Sequence, residues 1–137
     1  MSNKIFVYGS LMENFFNYNK YLKGKVMKRS YGRTKGKLFH QIDKGYPAMI
    51  DGDDFVYGEI LEIDDWDNTI IELDRLEKFF GEDNPNNEYN RVLLQVEELD
   101  GSSIISAFVY KYNCKNEEVL ERKKYIPYGN WRIFMKC

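Results

Sequence analysis

Phe55-Val56-Tyr57-Gly58-Glu59-Ile60-Leu61-Glu62-Ile63, then Asp64-Asp65-Trp66-Asp67-Asn68, then Thr69 to Phe80: this run reads as a strand, an acidic break and a helix. Val56, Gly58, Ile60 and Glu62 alternate with Phe55, Tyr57, Glu59, Leu61 and Ile63, the period-two pattern of a strand. Asp64 to Asn68 offers several N-caps. Thr69 to Phe80 is the clearest helix in the chain, with Gly81 as its stop.

Upstream, Lys4 to Val7 reads as a buried strand feeding a turn at Tyr8-Gly9-Ser10. Asn14 to Leu22 reads as a short helix ended by Gly24. Val26 to Gln41 reads as an irregular strand pair, with kinks or bulges at Gly32 and Gly36. Tyr46 to Ile50 is a short strand, and Asp51-Gly52-Asp53-Asp54 has the composition of a hairpin turn. Downstream, Glu82 to Glu88 is a polar loop. Tyr89 to Leu99 and Ser103 to Tyr112 pair across Asp100-Gly101. A charged turn or short helix follows Asn113, and Tyr125 to Met135 closes the chain. Strands dominate, and helices are inserted rather than alternating. The expected class is α+β with a curled, mostly antiparallel sheet, not a doubly wound parallel one.

The 137 residues suit one domain, spanning 1–137. Apolar residues at 43% and charged residues at 31% exclude wholesale disorder. Twenty basic residues against 22 acidic ones leave no global field toward nucleic acid or an acidic membrane. No apolar run approaches the ~20 residues that a membrane-spanning helix needs. Met1-Ser2-Asn3-Lys4 shows no signal-peptide pattern and the tail no lipidation signal, so the expected location is cytoplasmic. Lys20 to Lys37 holds eight basic residues and no acid. It reads as a solvated strand face balanced by the acidic stretch Asp51 to Asp83, with a single-stranded nucleic-acid face as the rival reading.

Cysteine and histidine chemistry is nearly excluded. Cys114, Cys137 and His40 are the whole supply, too few and too scattered for a zinc site. His40 lies beside no nucleophile signature, and both cysteines read as reduced bystanders. Catalysis here must rest on carboxylates, hydroxyls, backbone dipoles or a borrowed cofactor.

One carboxylate sits on the wrong side for a solvated residue. At about 100° per residue, Trp66, Ile70, Leu73, Leu76 and Phe80 form one stripe, and Glu77 falls inside it. A core-facing carboxylate must be paired, hydrogen-bonded or neutral, and desolvation moves its pKa toward the range of a general acid/base. The alternatives are a salt bridge to Arg91 or Arg75, or a helix-edge glutamate reaching water. The second feature is Val7-Tyr8-Gly9-Ser10-Leu11. A glycine after a strand lets N–H groups converge on a carboxylate or oxyanion; the alternative is an ordinary strand-to-loop turn.

The ordered set Tyr8-Gly9-Ser10-Leu11, Gly45-Tyr46-Pro47-Ala48, Val56-Tyr57-Gly58-Glu59, Leu73-Asp74-Arg75-Leu76-Glu77, Tyr89-Asn90-Arg91-Val92 and Gly129-Asn130-Trp131 resembles the γ-glutamylcyclotransferase-like family, including its γ-glutamylamine cyclotransferase and AIG2-like branches. The resemblance covers nearly the whole chain. It implies a small mixed, mostly antiparallel β-barrel with flanking helices. It implies that Tyr8, Gly9, Ser10 and Leu11 hold a γ-glutamyl group, that Glu77 is the catalytic glutamate, and that Tyr89 lines the pocket. The implied reaction closes 5-oxoproline and frees an amine, with no metal, no cofactor, and a small γ-glutamyl compound as partner. A non-catalytic module binding a similar ligand is the alternative. The chain departs from the family at Met12, where a basic residue often stands. It also departs at Lys78-Phe79-Phe80, which delays the usual glycine, and in the long Glu82–Glu88 loop, which is expected to wall the leaving-group side.

Overall fold

The computed structural model describes residues 3–101, 103–113 and 123–136. Its strands are β1 (Lys4–Val7), β2 (Val26–Gln41), β3 (Tyr46–Ile63), β4 (Tyr89–Glu98), β5 (Ile104–Tyr112) and β6 (Lys123–Ile126). The helices are α1 (Trp66–Leu76) and α2 (Trp131–Lys136), with a π-helical turn at Tyr18–Leu22. Cys114, Cys137 and the segment expected to be a charged turn or short helix lie outside the described residues.

The strands run β3-β1-β5-β4-β2, and β2 pairs back onto β3, so the sheet closes into a five-stranded barrel. Among the described residues, β1 and β5 pair in parallel and the other strand pairings are antiparallel. Strand β6 joins β2 at Leu38 to Gln41, beyond the short β2–β4 contact at Gly32 and Arg33. Closure leaves the interior to side chains, and Phe6, Leu38, Met49, Val56, Val96 and Val109 are among those fully or almost fully buried there.

Two expectations are corrected along β2 and β3. Val26 to Gln41 is one long strand, not a pair, bulged near Val26 and Gly36. Asp51 to Asp54 do not make a hairpin turn. Lys35 pairs with Phe55 and Lys37 with Ile50, so these four residues lie opposite Gly36 alone as a wide bulge. Turn-forming composition also suits a bulge, which needs unpaired, bent backbone. The real hairpin turn is at 42–45, where Lys44 and Gly45 donate to the Gln41 carbonyl.

The chain end is tied to the barrel at Gly129. Its carbonyl accepts the Tyr57 N–H at 2.8 Å, its φ is +64°, and a Cβ there would lie 1.8 Å from the Phe55 carbonyl oxygen. Gly129→Ala is therefore expected to destabilise the protein by about 2–4 kcal/mol, through left-handed strain and the clash together. Denaturant unfolding checks this; an unchanged midpoint would show that the turn yields freely. Trp131, just beyond, is 1% exposed and anchors α2. Its indole N–H donates to His40 Nδ1 at 3.1 Å, and burial pushes the His40 pKa down. That makes His40 a neutral packing partner.

Among the described residues, no helix is long and apolar enough to cross a membrane. The basic run leading into and along β2 meets acids from across the chain: Lys25 pairs with Glu72, Arg29 with Glu13 and Glu59, and Arg33 with Glu97.

Candidate active site

A cavity of about 150 Å³ opens at one end of the barrel. Tyr8, Gly9, Ser10 and Leu11 form one wall and Tyr46 and Pro47 of β3 another, with Leu76, Glu77, Glu88, Tyr89 and Tyr110 among the remaining lining residues. All six residues singled out in the sequence thus line one space. Tyr46, Glu88 and Tyr110 join them.

Glu77 reaches the cavity differently from the sequence expectation. Helix α1 runs from Trp66 to Leu76 rather than from Thr69 to Phe80, and Glu77 is its C-cap. Glu77 N–H closes the last turn on the Leu73 carbonyl at 2.9 Å. Lys78 then takes φ +55°, and Phe79 N–H bonds back to Asp74 at 2.8 Å. The left-handed residue at this helix end is a lysine, with Gly81 three positions further on. The chain leaves the helix axis here, so Phe80 is exposed at 60% instead of joining the buried stripe.

Neither expected arginine partner meets Glu77. Arg91 bonds Asp74 at 3.4 Å and lies over the Phe79 and Phe108 rings. Arg75 is exposed. Among the described residues, no hydrogen-bond donor and no cation contacts the Glu77 side chain. Desolvation, reinforced by the charge of Glu88, pushes its pKa up to about 8.

The tyrosines, Glu88 and Ser10 of the cavity are engaged. Tyr8 Oη donates to the Tyr110 carbonyl at 2.5 Å. Tyr89 Oη donates to the Pro47 carbonyl at 2.7 Å and accepts from Gln41 at 2.8 Å. Tyr110 Oη donates to Asp74 at 2.6 Å. Burial, with the Glu77 charge adding to it, raises the pKa of Tyr8 and Tyr89, and burial with the Asp74 bond raises that of Tyr110. None of the three is a base near neutrality. Glu88 is held by Lys44 at 2.5 Å and by Tyr46 Oη at 2.9 Å. Ser10 Oγ accepts from Asn17 at 2.8 Å. Glu77 is the carboxylate left free to exchange a proton with whatever enters.

The turn wall supplies donors. Met12 N–H bonds the Gly9 carbonyl at 3.0 Å, while the N–H groups of Gly9, Ser10 and Leu11 meet no acceptor among the described residues. Gly9 itself is not left-handed. Its Cα packs so closely on Pro47 that a Cβ would lie 2.6 Å from the ring. Close approach to protein, rather than a sharp turn, requires glycine here.

The Glu82–Glu88 loop is only partly the expected wall. Glu88 lines the cavity; Glu82, Asp83 and Asn84 face a separate groove. Asn87 organises the loop, accepting from Phe80 N–H at 2.7 Å and donating to the Gly81 carbonyl at 2.8 Å. Tyr110 carried a signal that sequence reading overlooked: Phe108, Tyr110 and Tyr112 alternate along one face of β5. No group of three or more metal-ligating side chains occurs among the described residues.

Comparison with known proteins agrees with this fold. The family model described as gamma-glutamyl cyclotransferase, AIG2-like, matches residues 5–133. The gamma-L-glutamyl-butirosin B gamma-glutamyl cyclotransferase of Niallia circulans is 27% identical, across 91% of this chain and 86% of its own. An AIG2-like protein from Mus musculus superposes with a TM-score of 0.71 at 25% identity, covering 93% of this chain and 86% of that one. YtfP from Escherichia coli gives 0.62 at 26%, covering 93% and 95%.

Proposed function

The chain belongs to the γ-glutamyl cyclotransferase, AIG2-like family, and on that premise we propose that it converts a small γ-glutamyl amine or peptide to 5-oxoproline and a free amine. The observation that carries the reading is the unpartnered Glu77 carboxylate, lining the same cavity as the free N–H groups of Gly9 to Leu11.

In this reaction the substrate's α-amino nitrogen attacks its own γ-carbonyl carbon. The nucleophile is tethered, so ring closure is intramolecular and gains the effective concentration of a held reactant. Glu77, as carboxylate, takes a proton from the α-ammonium, which frees the nitrogen lone pair. The C–N bond forms, and negative charge develops on the γ-oxygen. Glu77 then returns that proton to the leaving nitrogen as the old amide bond breaks. The ring nitrogen gives up its second proton by way of the same carboxylate to the released amine, so the two protons lost by the α-ammonium both leave on the amine as its ammonium form and Glu77 ends as it began. The N–H groups of Gly9, Ser10 and Leu11 serve the charged oxygens, either the α-carboxylate or the developing oxyanion. Pro47, Tyr89 and Leu76 shape the cavity around the bent glutamyl chain.

The reading is tested by mass spectrometry of 5-oxoproline over a panel of γ-glutamyl compounds, with amino acids, polyamines, a lysine side chain and glutathione-like peptides as leaving groups. At least one should yield 5-oxoproline and amine in equal amounts. Tight binding without any 5-oxoproline would instead identify a ligand-binding module.

The pH dependence has a definite sign. The working base is ionised Glu77, and its pKa is raised to about 8. Below that pH, kcat/KM should climb by about tenfold per unit. Glu88→Gln removes the like charge and should move the climb to lower pH. A kcat/KM flat between pH 6 and 8 would rule Glu77 out as the base.

A further inference from the structure

Behind the Gly9–Leu11 wall lies a charged cluster that touches no part of the cavity. Glu59 of β3 is 3% exposed. Its Oε1 accepts the Glu13 N–H at 3.1 Å and Arg29 Nε at 3.2 Å, and its Oε2 accepts Arg132 Nη2 at 3.1 Å. Arg132 Nη2 also donates to the Glu13 carbonyl at 2.8 Å, and Arg29 Nη1 pairs with the Glu13 carboxylate at 2.9 Å. Glu13 is thus gripped at its N–H, its carbonyl and its side chain. The grip comes from β2, β3 and α2 at once.

A cluster of this kind is poorly explained by stability. Two carboxylates and two guanidiniums cancel in charge, but their desolvation offsets most of the attraction, and apolar residues would hold the elements together as well. What apolar residues would not supply is direction. Glu13 ends the segment that begins at Tyr8, and Met12 N–H is already turned onto the Gly9 carbonyl. Strand β1 fixes the front of that segment, Tyr18 N–H and Asn17 hold Ser10 at its middle at 3.0 and 2.8 Å, and Glu13 ties its end to the barrel.

We propose that Glu59, Arg29 and Arg132 are positioning residues for the cavity: by holding Glu13 they set the N–H groups of Gly9, Ser10 and Leu11 against Glu77. The two arginines also lie on the rings that follow the segment, Arg29 over Tyr18 and Arg132 over Phe15. Through Arg132, the C-terminal helix therefore controls a wall more than 100 residues earlier in the chain. The kinetic consequence rests on the reaction proposed above; the placement of the wall does not.

Arg132 is one-third exposed, so its variants should fold. Arg132→Ala and Arg132→Lys are compared with the parent by hydrogen exchange, thermal unfolding and steady-state kinetics on the best substrate of the γ-glutamyl panel. In Arg132→Ala, the hydrogen-bonded amides of Met12 and Glu13 should exchange about tenfold faster while the barrel strands keep their protection. KM should rise about tenfold with a smaller change in kcat, and the pH profile should keep its rise toward about 8. Arg132→Lys should recover part of both effects. Unchanged loop exchange, exchange that accelerates evenly over the barrel, or a loosened loop with unaltered KM and kcat would each overturn the proposal. If the parent yields no 5-oxoproline, the proposed function fails, and the exchange comparison alone still decides whether Arg132 holds the wall.

Discussion

Glu77→Gln is expected to lose 10²–10⁴-fold in turnover, on the order of what a positioned general acid/base contributes, while gaining stability at pH 8. The two effects share one cause. Glutamine keeps the shape and can still hydrogen-bond, but it cannot accept the ammonium proton or return it to the leaving nitrogen. The burial that prepares the carboxylate also strains the folded state. Its ordinary pKa of 4.5 is raised to about 8 on folding. Between those values the folded protein holds a proton that the unfolded chain gives up, so stability falls as pH rises through this window. The full shift corresponds to about 1.4 kcal/mol per unit, discounted because the carboxylate faces a cavity open to water. The variant should be more stable than the parent by roughly 2 kcal/mol at pH 8, with the difference vanishing near pH 4.5. Parallel turnover assays and denaturant titrations at both pH values check this. Lost activity with lost stability at pH 8 would mark Glu77 as a structural residue.

Gly9→Ala is expected to lower kcat/KM by about 10²-fold, the size of loss that a misplacement near 1 Å brings. The added methyl would lie 2.6 and 2.8 Å from Cγ and Cδ of Pro47. Pro47 is a poor candidate to yield. Its carbonyl carries the Tyr89 hydroxyl, and Ala48 and Met49 behind it are fully buried. The turn must yield instead, carrying the Ser10 and Leu11 N–H groups away from Glu77. Overpacking of this kind costs about 1–3 kcal/mol, so the fold should survive and the kinetic loss should be readable. Activity within twofold of the parent would mean that the wall is not part of the reacting geometry.

How far the sequence foretold all this depended on how local the cause was. The β3 alternation from Phe55 to Ile63 and the turn after β1 are local, and both could be read directly. The α+β class followed from element order, and the barrel from the family resemblance. The pairing that closes the barrel joins β2 to β3 along nearly their whole lengths, and no single window contains it. The Asp51–Asp54 bulge was misread as a turn because the two share a composition. The Glu77 stripe led into a cavity from the wrong helix end: Lys78 takes the left-handed conformation expected of Gly81, so the helix stops early while Glu77 still points inward. Arg91 could not be assigned without knowing that Asp74 lies beside Tyr110 on a neighbouring strand. Glu88 looked like one more loop acid until Lys44 and Tyr46 were brought against it. The Glu13–Glu59–Arg29–Arg132 cluster is wholly non-local, with partners from four separate segments.

The central claim is that a single carboxyl group stays protonated through neutrality because the fold buries it without a partner. Carbon-13 NMR of protein labelled at the glutamate side-chain carboxyls, titrated from pH 4 to 10 beside Glu77→Gln, reads that group directly. The expected result is one resonance titrating near pH 8 in the parent and missing from the variant. A parent spectrum in which every glutamate carboxyl has ionised by pH 6 would contradict it.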